Sequence, residues 1–312
     1  MFNVGILTIN GFGLMSYASL IEPLRAANLL NEEPLYNIIN ITVSQNFSIS
    51  SSGLEVRGTN FNEKEFNLDL LLVLSGGDPF LFNNKIVFNW LNRMIKFGTT
   101  IGGVSGGPVV LVKAGIMKGR RMTVHWEHAG ALLEYDERIL LEKNLYIIDR
   151  DRMTCAGGTA PMDMMLALIA KHKGSVFAQL VSDWFLHTEI RPAGGPQRGD
   201  IIDRIGSNNY LVVNAVEFME NHLADPLTLS HLSDLCGVSE RQLNRVFKKN
   251  LKSTTMMYYT YLRLESAKNL MRNSKMSISE ISEATGFSNP SHFSSVFKKN
   301  YGYSPKEYKF TK

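Results

Sequence analysis

The sequence predicts an α/β domain with a doubly wound parallel sheet, followed by an all-α domain with two helix-turn-helix units. In the amino-terminal part, apolar runs of strand length alternate with helical stretches. Towards the carboxyl terminus, apolar positions recur every three or four residues, and the stretch VFKKN occurs twice, at 246–250 and 296–300. With 312 residues, 44% of them hydrophobic, the chain can bury the cores of two domains. We place the domains at 1–190 and 209–312, with a linker at 191–208.

The predicted sheet rests on six apolar runs. They are VGILTI, IINITV, LDLLLVL, TTIGGV, LYIID and MTCAG. The helical stretches that follow them include SYASLIEPLRAANLL, IVFNWLNRMIKFG, GPVVLVKAG and MDMMLALIAKH. Such alternation is typical of a parallel sheet with helices on both faces, and these sheets bind ligands at the carboxyl ends of their strands. Three predicted strand ends carry small or glycine-rich loops, at 75–77, 103–107 and 155–158.

The second of these loops matches the nucleophile elbow G-x-S-x-G of serine hydrolases, with Ser105 at its centre. An elbow serine requires a histidine base that an acid orients. His187 follows Asp183 on one helical stretch, and His172 lies among lysines, so neither histidine occupies an obvious strand-end loop. No triad is evident, and a serine-dependent amidase or hydrolase remains the alternative to a binding domain.

Composition excludes several classes of protein. The start of the chain has no basic segment typical of a secretion signal, and no apolar run approaches eighteen residues, so we expect a cytoplasmic protein without a membrane span. The two cysteines, Cys155 and Cys236, are expected to be free thiols. Cys236 is expected to be buried, and Cys155 is either buried or a reactive thiol. His125 and His128 lack a convincing third ligand, so we expect no metal and no cofactor.

Positive charge is concentrated at the carboxyl terminus. Residues 1–207 contain 19 Lys+Arg against 20 Asp+Glu, whereas residues 208–312 contain 14 against 9, a net charge of +5. This balance suits a polyanion, although a solvated basic face has the same composition.

The repeat that contains VFKKN predicts a helix-turn-helix in each copy. LSHLSDLCGVSERQLNRVFKKN (229–250) aligns with ISEISEATGFSNPSHFSSVFKKN (278–300). In each copy a short helix ends at a glycine suited to a left-handed turn, a serine caps the next helix, and that helix has apolar residues three and four apart. The glycines are Gly237 and Gly286, the capping serines are Ser239 and Ser288, and the apolar residues are Leu243, Val246, Phe247, Phe293, Val296 and Phe297. Pro290 lies in the first turn of the second copy, where its missing N–H costs nothing.

The second helix of a helix-turn-helix presents its outward residues to bases in the major groove. In the first copy these residues are Glu240, Arg241, Gln242, Asn244 and Arg245, and in the second Asn289, Ser291, His292, Ser294 and Ser295. Arginine and amide side chains read bases directly, so the first copy is equipped for specificity, whereas the short side chains of the second copy suit positioning on the duplex. The lysines at the helix ends are candidates for phosphate contact: Lys248, Lys249, Lys298 and Lys299. Between the copies, residues 256–273 predict one amphipathic helix with Leu264, Ala267 and Met271 on its apolar stripe. As a rigid spacer of about 34 Å, it would place the copies in successive major grooves.

Residues 209–312 resemble the DNA-binding domain of the AraC/XylS family of transcription regulators. The resemblance is carried by GVSERQLNRVFKKN, YLRLESAKNLM and GFSNPSHFSSVFKKNYGYSPKEY. It implies double-stranded DNA and RNA polymerase as partners, and a function in activating transcription. It also implies base-facing roles for Arg241, Asn244 and Arg245, with Ser291, Ser294 and Ser295 at the matching second-copy sites. The family usually has a more basic residue at the position of Ser295.

The amino-terminal part resembles the flavodoxin-like DJ-1/PfpI family, whose fold is that of class I glutamine amidotransferases. The resemblance is carried by SLIEPLRAANLL, LSGGDP, IGGVSGGPVVLVKAGIMKGRRMTVHWEHA and TCAGGTAPMDMMLALI. Enzymatic relatives have a cysteine at the elbow, near a glutamate of the first helix and a downstream histidine. Ser105, Glu22 and His125 occupy these positions here. Without the thiol we expect no catalysis.

A strand-end pocket without a nucleophile suits a sensor of a small effector. We expect its lining to comprise Glu22, Gly76, Gly77, Ser105, Gly106, Gly107, His125 and Trp126. Glu22 and Trp126 suit an amine or quaternary ammonium, and the resemblance implies nitrogenous metabolites such as amino acids, betaines or carnitine. Two purely structural interpretations stay open. In one, Trp126 is a core residue, and in the other, Glu22 is the ion-pair partner of Arg25. The fold also leads us to expect a homodimer.

Overall fold

The apolar runs of the amino-terminal part form one twisted sheet. The computed structural model describes residues 1–199 and 201–310, and the chain divides into two compact units, Met1–Gln197 and Arg198–Lys312. The strands of the first unit are β1 (Phe2–Thr8), β2 (Tyr36–Thr42), β3 (Phe47–Ile49), β4 (Glu55–Arg57), β5 (Thr59–Asn60), β6 (Leu70–Ser75), β7 (Thr100–Ser105), β8 (Arg121–Met122), β9 (Leu140–Leu141), β10 (Tyr146–Asp149) and β11 (Arg152–Cys155). Seven of them form the sheet in the order β10-β11-β7-β6-β1-β2-β5. Every pair in it is parallel except the antiparallel pair of β10 and β11, which confirms the predicted fold class.

Helices cover both faces of this sheet because its central strands are apolar on both sides. The helices are α1 (Leu14–Leu30), α2 (Lys85–Lys96), α3 (Gly107–Lys113), α4 (Trp126–Tyr135), α5 (Ala160–Lys173) and α6 (Ser175–Trp184). All six residues of β6 are buried. Leu70, Leu72 and Leu74 join a core cluster with α1, α5 and α6. Leu71 and Val73 alternate with them and therefore face the opposite side, where α2 and α3 contact the sheet.

The parallel register brings the three glycine-rich loops to one edge of the sheet. Ser75, the last residue of β6, pairs with Ser105, the last residue of β7. Cys155, the last residue of β11, pairs with Val104, one residue before Ser105. The loops that follow these strands therefore begin side by side at the carboxyl edge, as the sequence predicted.

The chain after α6 stays attached to the first unit as far as Gln197. Leu145 donates its backbone N–H to the carbonyl of Ala193, with an N···O distance of 2.9 Å. The side-chain amide of Gln197 donates to the carbonyls of Val124 and Asn144 at 3.1 and 2.8 Å. Residues 191–197, which the sequence assigned to the linker, thus belong to the first compact unit.

Between Arg198 and residue 310, the described residues of the second unit form helices and no strand. Its helices are α7 (Ile201–Ile205), α8 (Tyr210–Asn221), α9 (Leu229–Leu235), α10 (Glu240–Leu251), α11 (Thr255–Asn273), α12 (Ile278–Ala284), α13 (Pro290–Tyr301) and α14 (Pro305–Phe310). α9 and α10 form the first helix-turn-helix, and α12 and α13 form the second. No helix within the described part of the chain is long and apolar enough to cross a membrane.

Both helix-turn-helix units show the predicted turn and core. Gly237 and Gly286 have φ angles of 67° and 73°. The predicted apolar residues are buried or half-buried: Leu243, Phe247, Phe293 and Phe297 are fully buried, and Val246 and Val296 are half-buried. Ser239 caps α10 by accepting from the backbone N–H of Gln242.

The cap that the sequence assigned to Ser288 is wrong, since Asn289 caps α13. Pro290 takes the first helical position and keeps the residue before it extended, which is the conformation of an N-cap. Asn289 accordingly has φ −142° and ψ 118°, and its side-chain oxygen accepts from the backbone N–H groups of Ser291 and His292.

α11 is the long helix that connects the two helix-turn-helix units. It begins at Thr255, one residue before the predicted range 256–273. Its predicted stripe of Leu264, Ala267 and Met271 is buried. The Arg263 Nε donates to the carbonyl of Thr285 at 2.7 Å, which attaches α11 to the turn of the second helix-turn-helix.

Candidate functional site

The backbone at Ser105 has the geometry of a nucleophile elbow. Its φ of 60° lies in the left-handed region, which costs a non-glycine residue about 1–2 kcal/mol. The neighbouring glycines allow this sharp turn from β7 into α3. A Cβ on Gly107 would lie 1.9 Å from the carbonyl oxygen of Val73, and one on Gly103 would lie 2.5 Å from the nitrogen of Pro108. The motif therefore serves close packing of helix on strand, whatever its central side chain does.

The elbow touches the loop after β11. A Cβ on Gly157 would lie 2.7 Å from the Cβ of Ser105, so only glycine fits there. The backbone N–H of His125 donates to the carbonyl of Ser105 at 3.3 Å. Ser105 is thus enclosed between the Gly157 loop and the start of α4.

A pocket of about 180 Å³ opens beside the elbow. Its walls are formed by His125 and Trp126 at the start of α4, by residues 156–160 at the start of α5, by Leu145, and by Arg191 and Gln197 from the segment after α6. This volume lies below the ~300–1,000 Å³ of sites for drug-sized molecules, so the pocket suits a small metabolite.

The structure brings together only part of the predicted ligand set. His125 and Trp126 line the pocket, and Ser105 lies directly behind Gly157. The other predicted residues are not among those that line this pocket in the described part of the chain: Glu22, Gly76, Gly77, Gly106 and Gly107. Glu22 forms an ion pair with Arg25 on α1 at 2.7 Å, in agreement with the structural interpretation of Glu22.

Gly76, Gly77, Gly106 and Gly107 follow the ends of β6 and β7. A Cβ on Gly76 would lie 2.5 Å from the carbonyl oxygen of Gly11, and Gly77 has a φ of 60°. The Gly106 N–H donates to the carbonyl of Ser75 at 2.9 Å. These glycines shape the edge of the sheet, and a direct contact with a ligand stays a prediction for them.

The hydrogen bonds of His125 indicate which of its ring nitrogens carries the proton. Burial lowers the pKa of its imidazole below the usual range, so the ring is neutral at neutral pH. Its Nδ1 accepts from the backbone N–H of Glu127 at 3.3 Å, which places the proton of the neutral ring on Nε2. A triad histidine has the opposite tautomer, with Nδ1–H donated to an acid.

Trp126 is not a core residue. It is 40% exposed and its ring centroid lies 5.3 Å from that of His125. The two rings form an aromatic wall on one side of the pocket.

Arg191 is a pocket residue that the sequence did not indicate. Its Nη2 lies 2.6 Å from Oδ2 of Asp163, whose side chain is fully buried, and its Nε lies 3.0 Å from the same oxygen. The other carboxylate oxygen accepts from the Arg191 backbone N–H at 2.8 Å and lies 3.1 Å from Nε2 of His187. A buried carboxylate needs such partners. The lone acid in the apolar helix MDMMLALIAKH was the one available signal.

The neighbouring thiol is shielded from solvent. Cys155 is fully buried, and burial raises the pKa of its thiol to about 12. Because the thiolate is the reactive species, the alternative of a reactive Cys155 is not supported.

In the first helix-turn-helix, α10 exposes Arg241, Gln242, Arg245 and Lys248. Asn244 differs from them. It is half-buried, and its Oδ1 accepts from the backbone N–H of Thr255 at 3.1 Å. Asn244 therefore fixes the start of α11, and a base contact stays a prediction.

In the second helix-turn-helix, α13 repeats the burial pattern of α10 at every position except one, since Asn250 is half-buried and the matching Asn300 is exposed. Ser291, His292, Ser295 and Lys298 are exposed and Ser294 is half-buried. The remaining outward residue, Asn289, uses its side-chain oxygen for capping.

Comparisons with known proteins agree with both halves of this architecture. A model described as the DJ-1/PfpI family matches residues 7–171, and one described as a helix-turn-helix domain matches residues 232–310. The HTH-type transcriptional regulator GlxA of Rhizobium meliloti is 39% identical over 303 residues, which cover 97% of this chain and 94% of that protein. The chain belongs to this family of HTH-type transcriptional regulators with a DJ-1/PfpI domain. CdhR of Pseudomonas aeruginosa, also named as an HTH-type transcriptional regulator, is 36% identical over 96% of this chain and 89% of its own.

Solved structures of other proteins show the same fold. An AraC family transcriptional regulator from Pseudomonas putida superposes with a TM-score of 0.52 at 24% identity, over 59% of this chain and all of that one. A THiJ/PfpI family protein from Pseudomonas syringae has a TM-score of 0.53 at 19% identity, over 76% of this chain and 90% of its own. The prediction of a DNA-binding transcription regulator of the AraC type is confirmed, and the relatives quoted above are named as regulators.

Proposed function

We propose that this DNA-binding regulator is controlled by a small nitrogenous metabolite held, without chemical conversion, in the pocket beside His125 and Trp126. The pocket carries the proposal, because it lies at the carboxyl edge of a parallel sheet, where such folds bind ligands. The aromatic wall of Trp126 suits a cationic nitrogen. The resemblance to regulators that respond to amino acids, betaines or carnitine supports the same class of effector.

Three observations support a sensor over the alternative serine-dependent amidase or hydrolase. The elbow residue is Ser105, which lacks the thiol of the enzymatic relatives. The nearest histidine, His125, has its proton on Nε2 and is a donor there. Cys155 is buried and protonated. Hydrolysis of amide or ester substrates that disappears in Ser105→Ala would favour the enzyme, whereas unchanged effector binding without turnover favours the sensor.

On DNA, we propose that α10 reads sequence and α13 positions the protein. The exposed side chains of α10 include Arg241 and Arg245, whose guanidinium groups can each bind guanine through two hydrogen bonds. The exposed side chains of α13 are short apart from His292 and the lysines. A homodimer would present four such helices, and activation would require a contact with RNA polymerase. Since its partner is chromosomal DNA, we expect the protein to act in the cytoplasm.

The first experiment is selection of bound duplexes from a random pool by the full-length protein, with and without amino acids and quaternary amines. We expect a motif with two parts about one helical turn, or 34 Å, apart. Arg245→Ala should lose about 1–3 kcal/mol of binding free energy on that motif and little on a scrambled duplex. The matched variant Lys248→Ala should weaken both duplexes alike and lower the slope of log K against log salt by about 0.9. Equal losses for Arg245→Ala on both duplexes would indicate a protein that binds DNA without reading its sequence.

Control by the effector is tested with the same duplex. A metabolite that binds the pocket should change the affinity of the regulator for the selected motif. The factor equals the ratio of the metabolite's affinities for the DNA-bound and the DNA-free regulator. Trp126→Ala should abolish this change and leave DNA affinity without effector intact. A regulator whose DNA affinity responds equally in wild type and Trp126→Ala has its effector elsewhere.

A further inference from the structure

Arg191 gives the lining of the pocket a fixed positive charge. Arg191 is held by the buried carboxylate of Asp163 through Nε, Nη2 and its own backbone N–H. This network fixes the direction of the guanidinium before any ligand arrives. An arginine retains its charge at any physiological pH.

Part of this guanidinium is available to a ligand. The side chain of Arg191 is 36% exposed, and it lines the pocket. Its Nη1 has no hydrogen-bond partner among residues 1–199 and 201–310. Nη2 donates to the hydroxyl of Thr159 at 2.8 Å, so the hydroxyl hydrogen of Thr159 points elsewhere. Nη1 and the Thr159 hydroxyl thus form a pair of donors on the same wall.

The electrostatic surroundings favour an anion at this pair. None of the described residues that line the pocket is Asp or Glu. Asp163, the nearest acid in the network, is fully buried behind Arg191. The amino-terminal ends of α4 and α5, which begin at Trp126 and Ala160, both open onto the pocket and add partial positive charge.

We propose that the pocket recognises its metabolite by a carboxylate, bound by Nη1 of Arg191 and the hydroxyl of Thr159. This inference rests on the proposed function and deepens it. The carboxylate occupies the Arg191 wall, and the nitrogen of the same molecule faces Trp126. The effector class is therefore a zwitterion small enough for a volume of about 180 Å³, such as an amino acid or a betaine.

Recognition by Arg191 also places the ligand on the segment that leads out of the first unit. Arg191 and Gln197 both line the pocket, and Gln197 is the last residue of that unit. The carboxylate end of the ligand therefore contacts the chain that continues into the DNA-binding unit.

The test compares each carboxylate with an analogue that lacks the carboxylate. Thermal unfolding of the full-length protein is followed with glycine against glycinamide, glycine betaine against choline, and carnitine against its amide. We expect at least one carboxylate to raise Tm, with a Kd at least about tenfold lower than that of its analogue. The inference is overturned if no carboxylate raises Tm, or if the analogues bind as tightly.

Variants then locate the carboxylate. Thr159→Val should raise the Kd of the carboxylate about tenfold, and Thr159→Ser should restore it, because only the donor differs. Arg191→Gln alone leaves Asp163 buried without its cation, so the charge is removed as the pair Arg191→Gln with Asp163→Asn. That pair should raise the Kd about 10- to 100-fold. Unchanged affinity in both Thr159→Val and the double variant would refute the assignment.

The two proposals fail separately. Carboxylates that bind through Arg191 yet leave DNA affinity unchanged would refute control by the effector and support the site. An amine that binds through Trp126 and alters DNA affinity, with no carboxylate effect, would refute the site and leave control by an effector standing.

Discussion

The turn glycines of the two helix-turn-helix units provide a matched pair for separating backbone strain from crowding. Gly237 and Gly286 have nearly the same φ, 67° and 73°, so alanine is strained at both. The space around them differs. A Cβ on Gly237 meets nothing within 4 Å, whereas one on Gly286 would lie 2.6 Å from the Cδ of Pro226 and 2.7 Å from the carbonyl oxygen of Leu223.

These distances set the expected magnitudes. Gly237→Ala places alanine in the left-handed conformation, which destabilises the folded state. Alanine also lowers the conformational entropy of the unfolded chain, which offsets part of this effect, so the net loss in free energy of unfolding should be about 1 kcal/mol. Gly286→Ala adds the displacement of backbone atoms, which costs about 1–3 kcal/mol more. We therefore expect about 2–4 kcal/mol for Gly286→Ala in total.

Urea unfolding of the full-length protein measures both changes. Far-UV circular dichroism follows the helices of both units, whereas tryptophan fluorescence follows the first unit alone, because all 3 tryptophans lie there. Both variants should leave the fluorescence transition in place. Equal destabilisation by the two variants would show that the contacts at Gly286 relax without cost and would refute the reasoning.

Three further outcomes are expected. Lys252→Gly should stabilise the second unit by about 0.5–1 kcal/mol, because Lys252 has a φ of 55° at the end of α10 where Gly302 ends α13; no gain in urea midpoint would contradict this. Burial, and then the charge of His125, lower the pKa of His128 to about 4 from its ordinary 6.5, so the unfolded chain takes up this proton first as pH falls. The folded state should lose about 2 kcal/mol between about pH 7 and pH 5 from this residue, and His128→Leu should lose correspondingly less over the same range. In Cys236→Ser, the remaining Cys155 should react with a thiol reagent only at the rate of unfolding, and rapid labelling of the native protein would contradict its burial.

Local patterns were enough to predict six strands of the main sheet, the helices α1, α2, α3 and α5, and the helices of the two helix-turn-helix units. They did not predict the short strands β3, β4, β5, β8 and β9 or the helices α4, α7, α8 and α14. The apolar runs gave the parallel sheet, and the three-and-four spacing gave α11 to within one residue of Thr255–Asn273. The cap of α13 was misplaced by one position because Ser288 and Asn289 are both good capping residues, and the choice depends on how Pro290 begins the helix.

The pocket was only half predictable. His125 and Trp126 lie in a motif, whereas Arg191 lies in a run rich in glycine and proline that is typical of a linker. Its place in the pocket depends on an ion pair with Asp163, which is 28 residues away in sequence. Side-chain pairs at such separations leave no periodic signal. Similarly, the contact of Asn244 with Thr255 could be known only once α10 and α11 were packed.

The attachment of residues 191–197 to the first unit decides where the chain can be divided. A fragment that ends at 190, where sequence alone suggests the domain ends, would lack Arg191 and Gln197, which line the pocket. It would also leave the buried carboxylate of Asp163 without the arginine that pairs with it. Such a fragment would bind no effector and would unfold readily, and both failures would be mistaken for properties of the sensor. Fragments for ligand screening should end after Gln197. Such a fragment omits the DNA-binding unit and keeps every residue that lines the pocket.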